Sequence, residues 1–241
     1  MSAPLSKPLV GQVALVTGAS RGIGRAIARR LGRLGAAVSL CARQRTPLEE
    51  ARKEMEAEGI ASLAVVADVS RSQDVDRLVQ TTRHELGEID ILVNNAGVGW
   101  FGPVQHATEE DWDRVLETNL KAPFLLLRAV APAMMERRSG HIIQIASLAA
   151  KNSFAGGALY CASKWGLLGM TQSAAEDLRS FGIRASVVCP GSVLTEFSPH
   201  AGKNPDKMLR PDDVAHAVEM IVLQPPRSFI SEVLLRPTEK P

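Results

Sequence analysis

Short apolar runs alternate with longer amphipathic ones along this chain. The apolar runs are Val13–Thr17, Ala37–Ala42, Ser62–Val66, Ile91–Val93, His141–Ala146, Arg184–Cys189 and Glu232–Leu235. Runs this short read as strands, and the first, VALVT closed by glycine, reads as one buried on both faces. The stretches between them carry helical periodicity: RAIARRLGRLG ending at Gly35, then Pro47–Glu58, Ser72–Leu86, 108–138, 158–180 and Pro211–Val222. Pro47 suits a helix start. Ser70 or Ser72 is the expected cap of the third helix. Thr108, followed by Glu109, Glu110 and Asp111, is the expected cap of the fourth. Asn119 and Pro123 interrupt that helix and Pro132 follows, so a kink with loosened backbone carbonyls, able to hold a water, is expected there.

This alternation places the chain in the α/β class. It predicts a Rossmann-type, doubly wound parallel sheet of about seven strands with helices on both faces and a ligand site at the strands' C-terminal ends. One domain over residues 1–241 is expected, with 1–9 as a loose N-terminal arm. Residues 192–210, broken by Pro199, Gly202 and Pro205, are irregular and fall where a substrate lid would sit.

The candidate chemistry falls at those strand ends. After the first strand comes Thr17, Gly18, Ala19, Ser20, Arg21, Gly22, Ile23, Gly24, then a helix. Glycines in that setting let a pyrophosphate approach the backbone N–H groups of a helix N-terminus. The second strand ends in Ala42 and Arg43, where a carboxylate would bind the ribose hydroxyls of NAD. With no carboxylate there, and with Arg21 in the glycine loop, Arg43 and Arg21 predict NADP(H) through its 2′-phosphate. Asp68, followed by Val69, ends the third strand and suits either an adenine contact or a turn cap. Asn94 is expected to lock neighbouring strands. Asn95, Ala96 and Gly97 allow a cofactor to lie against the backbone. Ser147 ends the fifth strand, and Tyr160 (the only tyrosine) precedes Lys164 by four residues. That spacing puts phenol and ammonium on one helix face. A cation about 4 Å away supplies ~4 kcal/mol in a partly buried site, enough to lower a phenol pKa by ~2–3 units. Leu148, Trp100, Phe101 and Phe154 are the expected apolar lining of a substrate pocket beside Ser147. No arginine or lysine stands out as a partner for a substrate anion.

Composition narrows the classes. The net charge of +2 gives no case for nucleic acid or a membrane surface, and no apolar run reaches the length of a membrane span. Cys41, Cys161 and Cys189 are isolated and odd in number, as in a reduced cytoplasmic protein, and no ligand cluster for a metal is present.

Together these motifs resemble the short-chain dehydrogenase/reductase family in its single-domain form, from about Val10 to Leu235. TGASRGIG is similar to that family's cofactor loop, NNAG at 94–97 to its sheet-stabilising motif, and PGSVLT at 190–195 to its nicotinamide-facing segment. The resemblance implies a catalytic tetrad of Asn119, Ser147, Tyr160 and Lys164. Tyr160 is implied as the proton donor in reduction, Ser147 as the group orienting the substrate oxygen. Lys164 is implied to bind the nicotinamide ribose and lower the pKa of Tyr160, and Asn119 to hold a water. It also implies cofactor contacts at Pro190, Gly191, Val193 and Thr195. Within the family the chain looks most like the 3-oxoacyl-thioester (acyl-carrier-protein) reductase group. Its ending, ISEVLLRPTEKP, departs from that group's glycine-paired terminus. A homodimer or homotetramer through helices near 108–138 and 158–180 is implied. The function expected is NADPH-dependent reduction of a small ketone or aldehyde. Oxidation of an alcohol is the alternative for the same tetrad, and a non-catalytic NADP(H) sensor is the alternative from another class.

Overall fold

A computed structural model of the chain describes residues 7–197 and 202–241. Seven strands form one parallel sheet: β1 (Val13–Thr17), β2 (Ala37–Ala42), β3 (Ser62–Val66), β4 (Ile89–Asn94), β5 (Gly140–Ile145), β6 (Ile183–Pro190) and β7 (Glu232–Leu235), in spatial order β3-β2-β1-β4-β5-β6-β7. The helices are α1 (Gly22–Arg33), α2 (Arg45–Ala57), α3 (Ser72–Leu86), α4 (Glu109–Leu116), α5 (Ala122–Glu136), α6 (Ala158–Arg179) and α7 (Pro211–Val222). One sheet face packs on Ile27 and Leu31 of α1, Leu48 and Met55 of α2 and Val218 and Ile221 of α7. The other packs on Leu78 of α3, Leu126 and Met134 of α5 and Leu178 of α6. Both faces of β1 are therefore apolar, and its five residues are all buried. This is why the strand reads as an unbroken hydrophobic run.

Several local expectations change. The arm expected over 1–9 is shorter: residues 1–6 lie outside the described residues, but Leu9 is buried in the core and its N–H donates to Leu34 O at 3.0 Å. Neither Ser70 nor Ser72 caps α3; Arg71 occupies the cap position without a side-chain bond. Ser70 instead bonds Asp68. Thr108 does cap α4, in a reciprocal pair with Asp111. The break in the long helix falls at a π-helical turn, Glu117–Lys121, centred on Asn119. It does not fall at the prolines. Pro123 sits in the first turn of α5, where a missing N–H costs little, and α5 continues through Pro132 to Glu136.

Candidate active site

The C-terminal ends of the strands open into one cleft of ≈ 1470 Å³. That is more than a drug-sized ligand needs and suits an extended cofactor plus a substrate. At one end lies the glycine loop between β1 and α1. Gly18 has φ +64, and a Cβ on it would sit 2.9 Å from Ala96 Cα. A Cβ on Gly24 would lie 2.3 Å from Gly18 O, so the loop closes onto the start of α1 only with glycine there. Asn95 ties this loop to β4: its Nδ2 donates to Thr17 O at 3.0 Å and Gly18 O at 3.3 Å. The N–H groups of Asn95 and Ala96 both donate to Thr17 Oγ1. The strand-locking role expected of Asn94 thus belongs to Asn95. The Asn94 side chain is buried and bonds no group among the described residues.

Ser20, Arg21, Gly22 and Ile23 line this end of the cleft, as do Arg43, Asp68 and Val69. Arg21 donates to Glu196 at 2.6 Å, an exposed pair. Arg43 is exposed, and none of the ion pairs recorded among the described residues involves it. The Asp68 carboxylate accepts from Ser70 N at 3.1 Å and Ser70 Oγ at 2.8 Å. It therefore serves the turn while also facing the cleft.

At the other end Tyr160 and Lys164 project from the first turns of α6. Tyr160 is sandwiched between Phe101 and Phe197, with ring centroids at 5.4 and 5.8 Å. Phe154 extends the cluster, 6.3 Å from Phe101. Burial pushes Tyr160 up to about 12, against a hydrogen bond from Ser147 that pulls it down. Lys164 is 4% exposed, and burial pushes it down to about 8. Its Nζ donates to Ile145 O at 3.0 Å and lies 5.7 Å from the centroid of the Tyr160 ring. The expected lowering of Tyr160 by Lys164 is therefore absent from this structure. The two groups do share a helix face, but the ammonium sits over the ring and bonds a β5 carbonyl, and desolvation dominates.

Ser147 caps a short 3₁₀ turn, Leu148–Ala150, accepting from Ala149 N at 3.1 Å. Ser147, Leu148, Ala96, Gly97, Pro190, Gly191, Val193 and Thr195 all line the cleft. Gly97 separates Asn119 from Lys164: a Cβ there would lie 3.3 Å from Asn119 Oδ1 and 3.8 Å from Lys164 Nζ. Asn119 itself is fully buried. Its Oδ1 accepts from Val98 N at 2.8 Å, and its Nδ2 donates to Val98 O at 2.8 Å and Ser163 Oγ at 3.0 Å. These bonds use both amide protons of the side chain.

The pocket lining differs from expectation in two ways. Phe101, Phe154 and Leu148 line it, but Trp100 does not; its ring lies against Gly102 instead. Phe197, Glu196, Lys203 and Arg236 line the cleft and were not anticipated. Arg236 was legible in principle, because it directly follows the last strand and so falls at the same sheet edge.

The buried pair makes a testable statement about pH. The folded protein binds fewer protons at Lys164 than the unfolded chain between about 8 and the ordinary 10.5. Stability therefore rises with pH in that window, by up to ~1.4 kcal/mol per pH unit. Tyr160 acts oppositely between 10 and about 12, where only the unfolded chain loses its proton. In melts, the stability of the ligand-free protein relative to Lys164→Met is expected to fall from pH 10 down to 8, as the wild type loses stability that the variant keeps. Parallel curves would contradict this.

The family model described as "short chain dehydrogenase" matches residues 12–206. A sepiapterin reductase of Chlorobaculum tepidum is 39% identical over 237 residues, covering 94% of this chain and 96% of its own. A 3-oxoacyl-[acyl-carrier-protein] reductase of Synechocystis is 35% identical, covering 92% of this chain and 94% of its own. The crystal structure of a metagenomic short-chain oxidoreductase in complex with NADP superposes with a TM-score of 0.87 at 49% identity, covering 97% of this chain and 100% of that one. The chain belongs to the short-chain dehydrogenase family and is an oxidoreductase of it. No helix among the described residues is long and apolar enough to cross a membrane.

Proposed function

We propose that this enzyme is an NADP(H)-dependent reductase of ketone or aldehyde carbonyls. The observation that carries the reading is that Tyr160, Ser147 and Lys164 line the same cleft as two arginines, Arg21 and Arg43, beside the glycine loop.

The site fits a dinucleotide. The close contacts around Gly18 and Gly24 leave a bare-backbone cradle at the start of α1, and Arg21 and Arg43 flank it. Ser20, Gly22 and Ile23 would hold the pyrophosphate, Asp68 and Val69 the adenine end, and Lys164, Pro190, Gly191, Val193 and Thr195 the nicotinamide end. The bound cofactor supplies the hydride. Ser147 orients the substrate oxygen, and Tyr160 gives it the phenolic proton as negative charge develops there. Lys164 holds positive charge beside that proton site. Phe101 and Phe197 exclude water from the phenol. Carbonyls of the π turn at Asn119 offer the path by which solvent returns the proton.

The sepiapterin and 3-oxoacyl-[acyl-carrier-protein] relatives are both named reductases, which supports the reductive direction over alcohol oxidation. Convergence of all four tetrad residues in one region favours catalysis over a sensor. The test is NADPH oxidation with a panel headed by an acetoacetyl thioester, a small diketone and an aromatic ketone. Turnover on any of them supports the reading; oxidation of the matching alcohols alone would replace it with the dehydrogenase.

The protein is read here as cytoplasmic, consistent with its three free, buried cysteines. It is also read as at least a homodimer. Trp112 on α4, Phe124 on α5 and Trp165 on α6 are each about half exposed, and Leu116, Leu120, Phe124 and Met170 line an apolar groove beside them. Light scattering is expected to give a dimer or tetramer for the wild type and a monomer for Phe124→Glu/Trp165→Glu. A monomeric wild type would refute the assembly.

A further inference from the structure

Two further cations, Arg236 and Lys203, line the cleft, and neither is among the groups proposed to hold the cofactor. Arg236 follows β7, and the bond from Gly191 N to Leu235 O at 2.8 Å fixes that segment against the end of β6. The next residue, Pro237, has Cδ 2.9 Å from where a Cβ on Gly191 would sit, and Leu148 Cδ1 is 3.2 Å from the same point. Arg236 therefore stands beside the segment that flanks Ser147. Residues 198–201 of the expected lid lie outside the described residues; Lys203, in the stretch that resumes at 202, lines the cleft and donates to Ser192 Oγ at 3.0 Å, which leaves further N–H donors available. That segment is anchored where Leu194 N donates to Leu209 O and Leu209 N to Ser192 O.

The charge of these two groups is not cancelled locally. Among the described residues two carboxylates line the cleft: Asp68, which serves its own turn, and Glu196, which is bonded to Arg21. Nearby Glu232 is paired with Lys151 at 2.9 Å, and Glu239 with Lys207 at 2.6 Å. None of the ion pairs among the described residues involves Arg236 or Lys203. The same lining carries the apolar side chains of Leu148, Phe154 and Phe197, with the polar Asn152 and Ser153 beside Phe154 in the chain.

We infer that the substrate is a carbonyl compound bearing an oxyanion at its far end, a carboxylate or phosphate, which Arg236 and Lys203 bind across an apolar spacer. Arg236 offers a planar fork suited to a bidentate oxyanion, and Lys203 a point charge. The inference rests on the proposed carbonyl reductase and narrows its substrate.

The experiment compares homologous keto acids of four to eight carbons with their methyl esters and with keto phosphate monoesters of matching length. Two quantities are read: kcat/KM with NADPH, and dissociation constants from fluorescence titration of the NADPH-loaded Tyr160→Phe protein. At one chain length the anion is expected to exceed its ester at least about tenfold, mainly through KM and Kd. Arg236→Gln and Lys203→Gln should each shrink that ratio severalfold, as should 0.5 M salt. Whichever of acid or phosphate shows the larger ratio identifies the oxyanion. Esters reduced as well as anions at every length, with ratios insensitive to both variants, would overturn the inference and leave the reductase standing. No turnover of any carbonyl, with anions still bound preferentially, would keep the anion site and overturn the reductase. Neither turnover nor preferential binding would overturn both.

Discussion

Tyr160→Phe is expected to lower kcat by ~10²- to 10⁴-fold, the usual contribution of a positioned general acid. NADPH affinity should change less than about threefold. The prediction is sharp because phenylalanine keeps the ring in place. Its contacts with Phe101 at 5.4 Å and Phe197 at 5.8 Å involve only the aromatic face and edge. Only the hydroxyl is lost, together with its hydrogen bond to Ser147. A fall in activity therefore reports the proton and not a collapsed pocket. Single-turnover NADPH oxidation with fluorescence titration separates the two effects. Retained turnover would move proton donation to another group, with Ser147 and Lys164 the nearest candidates.

Arg43→Ala is expected to weaken NADPH binding by ~10-fold and leave NADH binding nearly unchanged, since in the proposed reading the residue meets only the 2′-phosphate. A charge-assisted bond is worth roughly 1.5–3 kcal/mol, and solvent at this exposed position holds the effect near the lower figure. Arg21→Ala is expected to cost less. Arg21 is bonded to Glu196 at 2.6 Å, so engaging a phosphate means surrendering a carboxylate. Removing both arginines should bring the two cofactors to similar affinity. A double variant that still prefers NADPH by more than ~10-fold would place selectivity elsewhere on the cleft.

Much of this architecture could be read from the chain because a parallel sheet covered on both faces leaves a plain mark. Its strands are short apolar runs, and β1 and β7 match expectation to the residue. That the glycine loop, Ser147, Tyr160 and Lys164 line one cleft was legible because strand ends and one face of a helix meet at the same sheet edge. What escaped depended on contacts between distant segments. Nothing local distinguishes Asn94 from Asn95; only the approach of Thr17 makes Asn95 the tie. Trp100 and Phe101 are adjacent, and the backbone path alone decides which one faces the cleft. The protonation of Tyr160 was misjudged for a similar reason. Helical spacing brings Lys164 onto the right face but says nothing of desolvation, nor of the Ile145 carbonyl that captures the ammonium.

The strand order also bears on how the chain is made. β1 is first to leave the ribosome, yet it lies between β2 and β4 at the middle of the sheet. Its second edge stays open until about residue 94 has emerged, because Val13–Val16 pair with Ile89–Val93. Through that interval a fully apolar strand has an unpaired row of amides, an invitation to foreign strands. Synthesis that pauses between β3 and β4 should favour aggregation, and faster passage through that stretch should raise the yield of folded protein.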